Sequence, residues 1–227
     1  MIESIVEKGI EACRSNDFKK GIELFNQALN QNPNHAAALY NRARALSKNE
    51  QLTEALSDFK RLVELHPENA TFISDFAVAL HLNNRNDEAL TQFDLALKLE
   101  PQNPYRWSSR AFFKDRIGQS KEALADYEKA LELDPDDAIT LNNKGLIEEK
   151  LGYIERSKKS FNRSNELVGY SPGTGKPMER PSAPTPSAEK PKQEPLTRWK
   201  VIKSVFTKEG FKDFSNFTKT KVLRRKA

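Results

Sequence analysis

The chain has 227 residues, 37% of them apolar and 30% charged, the balance of a soluble, helix-rich protein with room for one sizeable domain and extensions. Its net charge of +5 is unevenly spread: residues 1–169 hold 23 Lys and Arg against 27 Asp and Glu, whereas residues 196–227 hold 10 against 2. One cysteine, Cys13, excludes an internal disulfide framework, and no run approaches the ~20 apolar residues of a membrane span.

The opening stretch, MIESIVEKGIEAC, carries Glu3, Glu7 and Glu11 and no apolar run of the signal-peptide kind, so a cytoplasmic protein is expected. From there the sequence repeats. Pro33, Pro67, Pro101 and Pro135 are 34 residues apart and close the rhyming stretches LNQNP, VELHP, LKLEP and LELDP. With each proline at repeat position 32, five units start at Ile2, Ala36, Ala70, Pro104 and Ala138. Apolar residues recur at helical spacing in both halves of a unit, which predicts a helix A, a turn and a helix B.

The columns of the repeat have distinct physical roles. Position 8 is small (Gly9, Ala43, Ala77, Ala111, Gly145), and so is position 20 (Gly21, Ala55, Ala89, Ala123, Ser157). Position 24 is aromatic: Phe25, Phe59, Phe93, Tyr127 and Phe161. Small residues let two helices approach closely, and the aromatic fills the space beside them. Position 15, between the helices, holds Asn16, Glu50, Asn84, Gly118 and Gly152, and Asn and Gly suit a left-handed turn residue. Glu50 is the misfit, with Asn49 beside it as the alternative holder of that conformation. Each proline ends helix B, because the residue before it avoids helical backbone. In the fifth unit Gly169 takes the proline's place, and two columns that are apolar earlier become Lys158 and Asn165. That predicts an array ending there with a polar outer face and no separate capping helix.

Residues 170–195 hold 7 of the 12 prolines and read as an extended linker. Within it SPGTGKP lacks the preceding strand, the glycine spacing and the Ser or Thr after Lys that a phosphate loop needs. Residues 196–227 read as a basic tail of two short amphipathic helices broken at Gly210. Leu196, Trp199, Ile202, Val205 and Phe206 share one face, and Phe211, Phe214 and Phe217 follow at three-residue spacing. Helices under ~15 residues need a surface to form on. Trp199, Ile202, Phe206, Phe211 and Phe214 are the expected contacts. They would meet a protein, this one or a partner, or an anionic membrane, with nucleic acid the least favoured surface.

The repeat columns resemble the tetratricopeptide repeat family over residues 2 to about 169. The resemblance implies an all-α fold, a right-handed solenoid of five helix-turn-helix repeats at 1–169, then the linker and the tail. It departs from the family at position 4, where a large aromatic appears only as Trp107, and at position 11, where Tyr is replaced by Ala12, Leu46, Leu80, Lys114 and Glu148. It further implies that helix A lines a concave peptide-binding groove. Tyr40, Asn41, Arg44, Tyr105, Ser109, Phe112, Asn142 and Asn143 are the candidate contacts there, amides for an extended backbone and aromatics for side chains. The family's carboxylate clamp for chaperone tails is not matched, with Val6 and Ile10 before Asn41 and Thr71 and Asp75 after it.

No catalytic, metal or cofactor constellation is expected. His35 and His66 fall at repeat junctions, where a surface polar residue is ordinary, His81 has no second ligand type at metal spacing, and Cys13 has only Arg14 beside it to activate a thiol. The expectation is a non-enzymatic scaffold or adaptor that holds a peptide or partner in the groove, with the tail as second contact. The alternative is a membrane-peripheral adaptor anchored to anionic lipid by the tail.

Overall fold

The computed structural model describes residues 2–170; the rest of the linker and the whole tail, Trp199, Ile202, Phe206, Phe211 and Phe214 included, lie outside the described residues. Ten helices run in pairs among the described residues. They are α1 (Ile2–Arg14) and α2 (Phe18–Gln31), α3 (Ala36–Lys48) and α4 (Leu52–Leu65), α5 (Ala70–Leu82) and α6 (Asn86–Leu99), α7 (Pro104–Arg116) and α8 (Ser120–Leu133), and α9 (Ala138–Lys150) and α10 (Ile154–Val168). Each odd-numbered helix packs on its even partner and, from α3 on, on the helix before it, so the five pairs stack into a solenoid.

The starts and stops follow from local chemistry. From the second repeat on, helix A is capped by a polar residue that accepts from its first-turn amides: His35 from Ala38, Asn69 from Thr71 and Phe72, Asn103 from Tyr105, Asp137 from Ile139 and Thr140. Between helices A and B the chain turns through one left-handed residue, at Asn16, Glu50, Asn84, Gly118 and Gly152. The next amide then reaches back to a helix A carbonyl, as in Asp17 to Ala12, Gln51 to Leu46 and Arg85 to Leu80, each at 2.9 Å. Glu50 itself holds the positive φ, at 63°, while Asn49 stays at −91°, so the alternative of Asn49 is not the one adopted. The Gln51–Leu46 bond fixes where the turn must fall, whichever side chain sits there. After helix B each proline is the second residue of a tight turn, closed by His35 to Asn32 and its three equivalents. The last helix stops differently, at a left-handed Gly169 (φ 69°), where the Tyr170 amide bonds Asn165 at 2.8 Å.

The core sits between the helices of a pair. Phe25, Phe59, Phe93 and Tyr127 are buried, and the small-residue columns from Gly9 to Gly145 and from Gly21 to Ser157 are buried with them. The spacing is tight at both ends of the array. A Cβ on Gly9 would lie 2.5 Å from Phe25 Cε1, and one on Gly145 would lie 2.8 Å from Phe161 Cε1. Ring against backbone is thus the contact that brings α1 onto α2 and α9 onto α10. Truncating any of these buried aromatics to Ala costs about 3–5 kcal/mol.

Charge joins this packing in alternate repeats. Arg42 holds Asp58 with two bonds, at 2.6 and 2.7 Å, and reaches Asn26 of the preceding repeat at 2.7 Å. Two repeats later Arg110 does the same to Asp126, at 2.7 and 2.8 Å, and to Asp94 at 2.7 Å. Where the family has Tyr at position 11, Lys114 bonds Asp126 at 2.8 Å, and the fully buried Glu148 receives Lys144, Arg156 and Ser160. The α6–α7 junction is the sparsest of those between consecutive repeats, and Arg106 and Arg110 cross it.

Asp126 and Asp94 therefore predict a contrast. Asp126→Ala leaves Arg110 and Lys114 without their buried partner and costs about 3 kcal/mol. Asp94→Ala removes a half-exposed partner and costs below about 1 kcal/mol. Urea midpoints of the two variants measure the difference.

Candidate functional site

The helix A residues of repeats two to four bring their polar and aromatic side chains together at the middle of the array. Tyr40 on α3 is held from below by rings: Phe72 at 5.4 Å between centroids and Phe59 edge-on at 6.3 Å. Its hydroxyl therefore points toward Asp75, on helix A of the next repeat one position further along the unit. Arg44, one turn along α3, lies 5.4 Å over the Tyr40 ring. From the other side α7 brings Tyr105, with the Arg106 guanidinium 5.4 Å over its ring, and Ser109, which hydrogen-bonds the Tyr105 hydroxyl. Arg106 is buried and fixed by Glu100 at 2.8 Å, Thr71 at 2.9 Å and Ser74 at 3.1 Å.

Asp75 is the centre of this cluster. Its Oδ2 is the one buried side-chain oxygen or nitrogen with no hydrogen-bond partner among the described residues. Burial raises its pKa, against the opposing pull of the Tyr40 hydroxyl and the charges of Arg44 and Arg106. Arg106's ion-pair partner is Glu100. Burial likewise pushes the Tyr40 and Tyr105 hydroxyls up, so both stay neutral donors. Tyr105 keeps an exposed ring edge while its hydroxyl end is enclosed.

The other candidates are placed apart from that centre or are already engaged. Asn41 donates its amide to the Ala37 carbonyl of its own helix at 2.8 Å. Asn143 hydrogen-bonds the buried Tyr127 hydroxyl. Phe112 packs against the cluster of Ala111, Leu124, Tyr127 and Ile147, and Asn142 is half-buried on α9. Asp75 and Arg106 are not among the contacts expected from the sequence. The signal that marks them is an acid at the groove position of the middle repeat, with Tyr on the facing helix of the repeat on each side.

The remaining chemistry-bearing groups serve the fold. His35 caps α3, and His81 bonds Asn86 at 2.7 Å and meets Phe113 edge-on. Burial pushes the Cys13 thiol up, away from the thiolate a nucleophile needs. No cluster of three or more His, Cys, Asp or Glu suited to a metal occurs among the described residues, and no helix among them is long and apolar enough to cross a membrane.

Tetratricopeptide repeat models match residues 6–70, 46–111 and 138–167, and a TPR repeat model matches residues 116–152. No curated protein sequence matches this chain. Among solved structures, the chain is similar to TTC0263, a thermophilic TPR protein in Thermus thermophilus, at 20% identity and a TM-score of 0.62, covering 74% of this chain and 92% of that one. It is similar to MamA from Desulfovibrio magneticus RS-1 at 15% identity and a TM-score of 0.62, covering 73% and 94%. It is also similar to YrrB, described as a TPR protein with an unusual peptide-binding site, at 17% identity and a TM-score of 0.54, covering 72% and 84%.

The raised Asp75 pKa carries a stability consequence. In the unfolded chain the carboxyl ionises at its ordinary value, so above that value folding bears the cost of enclosing a charge. The cost is relieved as pH falls through the higher folded value. Asp75→Asn at neutral pH is therefore expected to stabilise the fold by about 1 kcal/mol, or roughly 2–4 °C in Tm. The gain should shrink in acid, which thermal melts at two pH values measure.

Proposed function

The chain belongs to the tetratricopeptide repeat family, and on that premise we propose that it is a non-enzymatic, cytoplasmic interaction scaffold. It holds a peptide or an extended segment of a partner protein along the helix A face. The basic tail, residues 196–227, supplies a second contact on a protein surface, its own or a partner's. The observation that carries the groove reading is the central cluster of Tyr40, Asp75, Tyr105 and Ser109. These groups gather at one place, and one of them keeps hydrogen-bonding capacity that the fold does not use. Phenol rings offer area and a donor at low entropic cost, which is the composition of a recognition surface. The peptide-binding site described for YrrB indicates that this fold can carry such a function. Two linked contacts of modest strength then gain through effective concentration.

The second reading is a membrane-peripheral adaptor. It is favoured by the union of Trp199, Phe206, Phe211, Phe214 and Phe217 with ten Lys and Arg in one short segment.

Affinity capture with the full chain, with residues 1–169 and with the tail alone separates the contacts. Partners held by residues 1–169 are expected to be lost on Ser109→Arg, which sets a long cation at the centre of the helix A face. Partners that survive that change sink the groove reading. For the tail, binding to phosphatidylserine vesicles that is absent, or that persists after removal of 196–227, sinks the membrane reading.

A further inference from the structure

We propose that Asp75 is the specificity-determining residue of the groove, and that it selects a ligand segment bearing a Lys or Arg side chain at the register that meets it. The inference rests on the groove reading and goes further by naming the ligand's chemistry. Its first ground is the unpartnered Oδ2. A buried carboxylate oxygen with no donor is costly, and Asp75, itself half-buried on helix A of the middle repeat, keeps one enclosed. The polar groups around it are committed elsewhere or already spent. Arg106 is fixed by Glu100, Thr71 and Ser74, Asn41 by its own helix, and the Tyr105 hydroxyl by Ser109. Tyr40 serves the carboxylate without satisfying Oδ2.

The second ground is the kind of donor that fits. A cationic N–H forms the shorter, charge-assisted bond to a carboxylate and returns most of what enclosing the charge costs. The nearby cations do not forbid it. Arg106 is neutralised by Glu100 at 2.8 Å, and Arg44 stands over the Tyr40 ring. Coulomb energy falls with distance, so a ligand cation gains most from Asp75 when it is in direct contact with the carboxylate. The Tyr40 and Tyr105 rings on either side supply apolar walls for the aliphatic stem of Lys or Arg.

The third ground is protonation. The groups facing the carboxylate are Tyr40 and Arg44 from α3 and Tyr105 and Arg106 from α7, and none of them is an acid competing for its proton. Asp75 holds its proton more tightly than an exposed Asp, and a bound cation drives the proton off. Binding thus releases a proton through Asp75 as the pH is lowered to its raised folded value, and none well above it.

The test uses the full chain and a displayed library of random twelve-residue peptides, counting only clones lost on Ser109→Arg. Clones selected by the wild type are expected to share a Lys or Arg at one register. Asp75→Asn is expected to weaken them about tenfold or more and abolish that preference. The thermal melts of Asp75→Asn separate a loss of binding from a loss of folding. Titration calorimetry in buffers of different ionisation enthalpy, repeated from neutral into acid, should show proton release that grows as pH falls with the wild type and none with Asp75→Asn. Groove clones without a shared basic residue, or with one indifferent to Asp75→Asn, overturn this inference and leave the groove reading standing. A library that yields no clone sensitive to Ser109→Arg overturns both.

Discussion

An aromatic ring laid directly on helix backbone is the contact from which the rest of the fold follows. At Gly9 the ring of Phe25 occupies the place of a Cβ, and at Gly145 the ring of Phe161 does the same. In the middle repeats alanines take the glycine's place, and the rings of Phe59, Phe93 and Tyr127 remain buried beside them. Because this contact is short range and unforgiving of volume, it sets how near helix A stands to helix B. That spacing in turn sets which helix A residues are left to face outward. The groove is the residue of the packing: whatever helix A does not spend on its partner or its neighbour becomes available for recognition.

Charge refines what volume begins. The Arg42–Asp58 and Arg110–Asp126 pairs occupy equivalent places in repeats two and four, and the intervening repeat has Phe76 and Gln92 there instead. A buried bidentate pair tolerates little sliding, whereas an apolar contact tolerates more. In the fifth repeat the family's ring at position 11 is replaced by Glu148, wholly buried and met by Lys144, Arg156 and Ser160. That a carboxylate can stand in for a phenol there depends on all three partners arriving together.

Most of the architecture was legible because close contacts repeat every 34 residues and leave small, aromatic and proline columns behind them. Glu50 shows where this legibility stops. Its left-handed backbone follows from the Gln51 amide reaching Leu46, a constraint of geometry that the side chain does not announce. The site was only partly legible for a similar reason. Asn41, Asp75 and Asn143 occupy the same repeat position, and the sequence makes the two amides the more inviting ligand contacts. Which of the three retains unused bonding capacity depends on neighbours in space. Asn41 turns to the Ala37 carbonyl, Asn143 to the Tyr127 hydroxyl, and Asp75 keeps an oxygen without a partner among the described residues.

The sparse junction between α6 and α7 gives the stack a fault line. In an array where each repeat touches only its neighbours, flexing concentrates at the weakest seam. Here two arginines stitch that seam, Arg110 to Asp94 and Arg106 to Glu100, Ser74 and Thr71. The central cluster straddles it, with Asp75 on one bank and Tyr105 on the other. A segment lying across both would act as a splint, stiffening the joint as it binds. Occupancy at the middle of the array would then be felt as a change in how freely its two ends move.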